Sequence, residues 1–531
     1  MTRASVVAFS VCVVLGVGLP AAAKEAPPAP SPLWGDLRPG PHAVGYQVLY
    51  RFDTSRAWAT TRPYGKGFTA DTQGRPMRIS VWYPAARSSG RPLRFEDYFR
   101  GGSGSAPKSF ANIEALLAER DGGVYRQSQA ESYPALAATP VNASANAPVA
   151  AGRFPLVLTT GGQGAMLTTN ATLAEYLASH GYVVATVLTL GPSSDEPILG
   201  LTPAEVDITV RDFEFATSVV SALPNVDPTR LAMVGHSMGG SAAVLFAMQN
   251  PNVSAVVGLD GTYGFPHPPA DPGILSVTQG YRHAPRRMQA ALLDLRRQQP
   301  WIDLSAVRSY RHSDRYLVTL TQMFHSSFIN GNLHQRFTKE FPTNPGGTTP
   351  TSSGEGFTWS CRLIEAFLDL QLKADATGLT RMNEFVAHNP RATLAHEPAL
   401  PARPPPTVVL DQAEARGFDA TITTLEQLER EIPEEPLVDE SVFVAMGYEL
   451  LGQGKSERAV LAFRLAEHFH PASANAADSL GDGYLAAGQK EAARQAFARA
   501  LEKAPKDPAL NPESRDNLLT ESTRKMKALA P

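Results

Sequence analysis

The run Leu231-Ala-Met-Val-Gly235-His236-Ser237-Met238-Gly239-Gly240 decides how the rest of the chain is read. It sets the pattern G-x-S-x-G after a short apolar stretch of strand type and before Ser241 to Gln249, which has helix character. A serine that is to attack a substrate from this position must sit on a tight strand-to-helix turn. Gly235 and Gly239 leave room there for the neighbouring backbone, so the Ser237 hydroxyl projects above the sheet. The start of the following helix adds a field that favours developing negative charge. A glycine-rich turn of purely structural use is the bland alternative. The strand, the helix and Gly240 together favour the nucleophile.

Working outward, the chain alternates strands and helices. Phe154-Pro-Leu-Val-Leu-Thr is an apolar run of buried-strand type, Asn170 to His180 a helix, and Tyr182-Val-Val-Ala-Thr-Val-Leu a strand. Pro203 to Leu223 is a long amphipathic helix, and Val253 to Leu259 another strand. This rhythm predicts an α/β domain with a mostly parallel sheet flanked by helices. Upstream, Val44-Gly-Tyr-Gln-Val-Leu-Tyr and Met77-Arg-Ile-Ser-Val-Trp-Tyr show period-2 alternation and predict strands. Residues 86–152, with a helix near Ala111 to Arg120, are expected as an insertion covering the sheet. Downstream come Ile274-Leu-Ser-Val-Thr, a helix around Arg286 to Arg297, the strand Tyr316-Leu-Val-Thr-Leu-Thr and a last helix, about Phe357 to Leu372. Residues 278–312 are expected as a second insertion. The catalytic domain is expected over 43–375, with linkers at 24–42 and 376–406.

The N-terminus carries an export address. Arg3 precedes an apolar run from Val6 to Leu19, and Ala21-Ala22-Ala23 fits a cleavage site, so residues 1–23 are expected as a signal peptide. The run is shorter than the ~20 apolar residues of a transmembrane helix. No stable membrane span is expected after its removal, and the product is expected in the periplasm or the medium. Of the two cysteines, Cys12 and Cys361, only Cys361 then remains, which excludes an internal disulfide. A net charge of −3 gives no electrostatic case for nucleic acid. No cofactor or metal is expected, because no dinucleotide, phosphate-loop or metal-ligand spacing is present.

Beyond Pro401 to Pro406 the pattern is helical over 407–531, and it repeats. Gly454 and Gly488 lie 34 residues apart, as do Ala459 and Ala493, Phe463 and Phe497, Ala466 and Ala500, and Pro471 and Pro505. That period, with small residues and a terminal proline in register, resembles the tetratricopeptide repeat, with repeats about 440–473 and 474–507. The repeats are expected either to dock a protein partner or to pack on the catalytic domain.

A serine hydroxyl needs a base, and the base an acid. Downstream histidines before the linker are His267, His283, His312, His325, His334 and His388. His325 directly follows a predicted strand, at the carboxyl edge where sites form. Asp260 ends the strand after the nucleophile helix, while Asp303 and Asp314 would serve after a later strand. Position favours Asp260. One oxyanion donor should be the backbone N–H of Met238, and the other should come from the loop Thr160 to Gly164.

From Gly40-Pro-His-Ala-Val-Gly45 through Val81-Trp-Tyr-Pro84 to about Leu372, the sequence resembles the platelet-activating-factor acetylhydrolase family and its bacterial dienelactone-hydrolase-like relatives, which have the α/β-hydrolase fold. The resemblance implies Asp260, in the pair Leu259-Asp260 that lies 23 residues after Ser237, as the acid. It implies His325 of His325-Ser-Ser-Phe328 as the base, and Gln163 as the second oxyanion donor. Gly161 stands where that family has histidine in this loop. Dienelactone hydrolases proper use cysteine where this chain has Ser237, so ordinary ester chemistry on short acyl or phospholipid-type substrates is the expectation. An amidase or peptidase with the same triad, and a repeat-based binding scaffold with a secondary hydrolase domain, are the alternatives.

Overall fold

The computed structural model describes residues 30–58, 74–86, 90–102, 104, 106–128, 131–166, 168–187, 190–193, 199–200, 202–265, 283–338, 341, 346–401, 404–431 and 437–529. In chain order these form β1 (Ala43–Asp53), β2 (Arg75–Ala85), β3 (Arg91–Arg94), α1 (Ala111–Ser128), α2 (Tyr133–Ala138), β4 (Pro140–Ala145), β5 (Phe154–Thr160), α3 (Ala171–Ser179), β6 (Val183–Val187), α4 (Pro203–Ser221), β7 (Val226–His236), α5 (Met238–Gln249) and β8 (Val253–Leu259). There follow β9 (Ala291–Arg297), α6 (Ser305–Arg308), β10 (Arg315–Leu320), α7 (Ser327–Phe337), α8 (Pro350–Leu372), α9 (Thr377–Ala387) and β11 (Ala392–Glu397). The C-terminal helices are α10 (Pro406–Arg416), α11 (Phe418–Glu431), α12 (Glu440–Gly452), α13 (Ser456–Phe469), α14 (Ala474–Ala486), α15 (Lys490–Lys503) and α16 (Pro512–Ala528).

Among the described residues, eleven strands lie in one sheet, ordered β11-β10-β9-β8-β7-β5-β6-β2-β1-β4-β3. The run β6-β5-β7-β8-β9-β10 is parallel, so its strands all end at one edge. β2 joins it antiparallel through β6, and β11 closes the far side antiparallel to β10. This is an α/β-hydrolase-like arrangement, with the chain reversing its direction of travel across the sheet at β5 and β7. Both faces are covered, which is why the central strands read as unbroken apolar runs. Val157, Val234 and Val257 pack toward α8, with Phe357, Ile364 and Phe367. Leu158, Met233 and Val256 pack toward α4 and α5, with Phe213 and Phe246. Helix starts follow local chemistry. Thr202 accepts from the backbone of Glu205 while the Glu205 carboxylate accepts from Thr202, and Pro203 opens α4.

Several sequence expectations are corrected. The helix expected over Arg286 to Arg297 is instead strand β9, held between β8 and β10 and buried on both faces. Ala-Leu-Leu-Asp-Leu-Arg suits a helix by propensity, but a place in the sheet overrides propensity. Residues 278–312 are therefore not simply an insertion. Residues 86–152 do not simply cover the sheet either, because β3 and β4 extend its edge beyond β1. The expected linker at 376–406 contains α9 and the edge strand β11. The expected linker at 24–42 is packed over its described part, with Leu33, Trp34 and Leu37 in the core. The signal segment and the strand around Ile274 lie outside the described residues. Among the described residues, no helix is long and apolar enough to cross a membrane.

Trp34 is tied down by a buried carboxyl. Glu175 on α3 accepts from Trp34 Nε1 at 2.9 Å, from the Tyr98 hydroxyl at 2.7 Å and from the Asn142 amide at 3.0 Å. Burial outweighs these donors and pushes the carboxyl up to about 7 from its usual 4.5. Above pH 4.5 the unfolded chain gives up this proton while the folded chain keeps it. Stability is therefore lost as pH rises from 4.5 to 7, by about 3 kcal/mol from this group. Glu175→Gln should flatten the dependence, seen as a smaller difference between denaturation midpoints at pH 4.5 and pH 8 than in the wild type.

The C-terminal helices repeat physically as well as in sequence. Gly447 of α12 lies against the Phe463 ring of α13, and Gly481 of α14 lies against the Phe497 ring of α15 in the same way. A methyl at either glycine would fall inside the ring's contact distance, so the small residue sets how closely the two helices of each pair approach. Gly454 and Gly488 turn each pair with the same left-handed φ of 75°. α16 closes one end, where Lys525 bridges Asp478 and Asp482 and Ser522 donates to Asp478.

Candidate active site

Ser237 sits between β7 and α5 with φ 55° and ψ −124°, a conformation that L residues avoid. Surrounding contacts hold it there. Its amide donates to the Leu259 carbonyl at 3.0 Å, and its carbonyl accepts from the Gly240 and Thr262 amides at 3.0 and 3.1 Å. Gly235 has no room for a side chain, because an added Cβ would meet the Gly239 carbonyl. The turn thus needs glycine for close approach, as its sequence pattern suggested.

Asp260 and His325 follow β8 and β10, parallel strands that end at the same sheet edge as β7. Asp260 directly follows β8 with a left-handed φ of 46°, and Gln322, just before His325, has φ 56°. The Asp260 side chain is 1% exposed, and its Oδ2 lies 2.6 Å from His325 Nδ1. A carboxylate can only accept, so Nδ1 carries the proton and Nε2 is left as the imidazole's acceptor. Asp303 and Asp314 are committed elsewhere. Asp303 accepts from the Ser305 amide and hydroxyl, and Asp314 from His396 Nε2 at 3.1 Å and the Ala399 amide at 3.1 Å. Of the other histidines considered, His334 contacts the Ser353 hydroxyl, His312 the Leu400 carbonyl and His388 the Glu384 carbonyl. His283 faces the Tyr310 ring, and His267 lies outside the described residues.

His236 and Arg297 take parts that the sequence did not reveal. The His236 ring lies 4.3 Å from the His325 ring, and its Nε2 donates to the His325 backbone carbonyl at 3.0 Å. Burial, reinforced by His325 nearby, pushes His236 down to about 3, which keeps it neutral. It therefore braces the loop that carries His325 without adding a second cation. Arg297 ends β9 and sets its Nε 3.0 Å from Asp260 Oδ2, out of line for a hydrogen bond, while its backbone amide donates to Oδ1 at 3.3 Å. His236 stood in the decisive motif, but its x position carries no rule of its own. Arg297 was hidden by the helix expected over β9.

Met238 opens α5 and is buried, and the first amides of a helix have no partner within it. Gln163 lies exposed in the loop after β5. Beside it, Gly162 is pressed against the serine, since an added Cβ would lie 2.7 Å from Ser237 Cβ and 3.0 Å from Oγ. α1 reaches this loop, where Arg120 donates to the Ala165 carbonyl at 2.9 Å. Gly162→Ala should displace the serine or the loop and lower kcat/KM for any reaction that runs through Ser237 about 10²-fold. Circular dichroism should show the fold retained.

Among the described residues, no group of His, Cys, Asp and Glu could hold a metal ion. Cys361 is a free, buried thiol.

A family model described as Chlorophyllase matches residues 121–280, a span that includes Ser237 and Asp260 and stops before His325. Cutinase 2 of Thermobifida cellulosilytica is 37% identical over 91 residues, which is 17% of this chain and 32% of that protein. Cutinase cut1 of Thermobifida fusca is likewise 37% identical over 91 residues, covering 27% of its length. A ferulic acid esterase from Streptomyces cinnamoneus superposes with a TM-score of 0.48 at 21% identity, over 69% of this chain and 98% of that one. The chain spans about a third of the length of the curated relatives it matches, and those relatives are cutinases.

Proposed function

We propose that this protein is a serine hydrolase that cleaves carboxylic esters through Ser237, His325 and Asp260. The observation that carries the reading is the coincidence, at one sheet edge, of a strained serine and a buried Asp260–His325 pair. In the proposed cycle His325 Nε2 takes the Ser237 proton as Oγ attacks the ester carbonyl. Asp260 holds the imidazole's tautomer and stabilises the imidazolium. The oxyanion is received by the backbone N–H groups of Met238 and Gln163. His325 then returns the proton to the leaving alcohol, and water releases the acyl group by the same steps in reverse. The similarity to cutinases favours esters over amides, and the resemblance to platelet-activating-factor acetylhydrolases favours short acyl groups. We read residues 1–23 as an export signal and the C-terminal helices as a tetratricopeptide-like unit that offers a surface for a protein partner.

The test is pre-steady-state hydrolysis of p-nitrophenyl acetate and butyrate by residues 24–531. A burst of nitrophenol followed by a slower steady rate supports an acyl-enzyme. Linear release at the buffer rate, with neither ester turned over, would overturn it.

A further inference from the structure

His325 hands its proton to the leaving oxygen, so the alcohol half of a bound ester must lie on the imidazole's side of Ser237. That side is built from aromatic rings. Phe265, shortly after Asp260, has its ring 5.5 Å from the His325 ring. Trp301, just beyond the end of β9, meets Phe265 edge to face at 5.2 Å. The Arg297 guanidinium lies 5.2 Å from the Trp301 ring and 5.8 Å from the Phe265 ring. Trp301 is nevertheless 40% exposed, a large apolar side chain left open at the rim of a site.

We propose that Trp301 and Phe265 form the seat for the alcohol moiety of the ester, and that this seat selects a planar aromatic group; the proposal rests on the reading of Ser237 and His325 as the reacting pair. Three features support it. Phe265 packs against the imidazole, which places this ledge of two rings beside the leaving group that His325 would protonate. The Arg297 guanidinium lies over both rings and so restrains them, and an indole, with only two side-chain torsions, loses little entropy on binding. Arg297 is also paired with Asp260, whose charge offsets it, so the ledge offers no uncompensated cation to an acidic alcohol. An uncharged ring, stacked or edge-on to the indole, fits that surface best.

The test compares 2-phenylethyl acetate with 2-cyclohexylethyl acetate. These esters share one acetyl-enzyme and nearly one alcohol volume, and they differ in the π system. The wild type should favour the phenyl ester in kcat/KM by about fivefold to tenfold. In Trp301→Ala and Trp301→Leu the ratio should fall to near one, and Trp301→Phe should keep most of it. A ratio near one in the wild type, or a ratio unchanged in Trp301→Leu, would overturn the aromatic seat while leaving the esterase reading intact. Failure of the wild type to cleave either ester, with no nitrophenol burst, would overturn both.

Discussion

Ser237→Ala lowers kcat for p-nitrophenyl acetate by about 10⁶-fold, to the level of the Oγ-independent reaction. The expected loss is this large because, in the proposed cycle, the serine hydroxyl is the group that His325 deprotonates, and only the residual effect of binding and of backbone donors survives its removal. The backbone adds an independent readout. Ser237 holds φ 55° without being glycine, which stores strain of ~1–3 kcal/mol. Ser237→Gly should therefore be as inactive as Ser237→Ala yet more stable, with a higher thermal midpoint. Stability and activity moving in opposite directions would identify a position where the fold holds strain for the sake of chemistry.

Asp260→Asn costs about 10⁴-fold in kcat/KM. The amide preserves shape but presents a donor as readily as an acceptor to His325 Nδ1, so the imidazole is no longer fixed with its acceptor nitrogen free for the serine. It also leaves Arg297 facing a neutral group, where now its Nε lies 3.0 Å from a carboxylate oxygen. Asp303→Asn and Asp314→Asn make the control, since their carboxylates serve Ser305 on one side and His396 and Ala399 on the other. Steady-state kinetics on the three variants separate the roles. A large loss in Asp314→Asn with a small one in Asp260→Asn would contradict the assignment.

The elbow was legible in the sequence because its chemistry is local. A strand, two glycines that must be small for their backbones to approach, and a helix start all lie within one short run. The 2.6 Å contact between His325 and Asp260 was legible more indirectly. Both residues directly follow or closely succeed the ends of apolar strands, and in a parallel sheet such ends meet at one edge. Strand β9 was not legible, because Ala-Leu-Leu-Asp-Leu-Arg-Arg has no period-2 signature when both faces are buried. With β9 misread, the sequence could not place Arg297 against Asp260 or Trp301 beside Phe265. The edge strand β11 was missed for the opposite reason: Ala-Thr-Leu-Ala-His-Glu is mostly solvent-facing and gives only weak alternation. Residues 24–42 look like a linker by their prolines and alanines, yet in the described part Trp34 is buried, and one hydrogen bond to Glu175 satisfies its indole.

The central claim is that Ser237 is an activated nucleophile, and labelling by a fluorophosphonate tests it most directly. The wild type should gain one phosphonyl adduct, mapped by peptide mass spectrometry to the segment containing Ser237, with none in Ser237→Ala and slowed labelling in Asp260→Asn. An unlabelled wild type that is folded, or an adduct on another residue, would contradict the account.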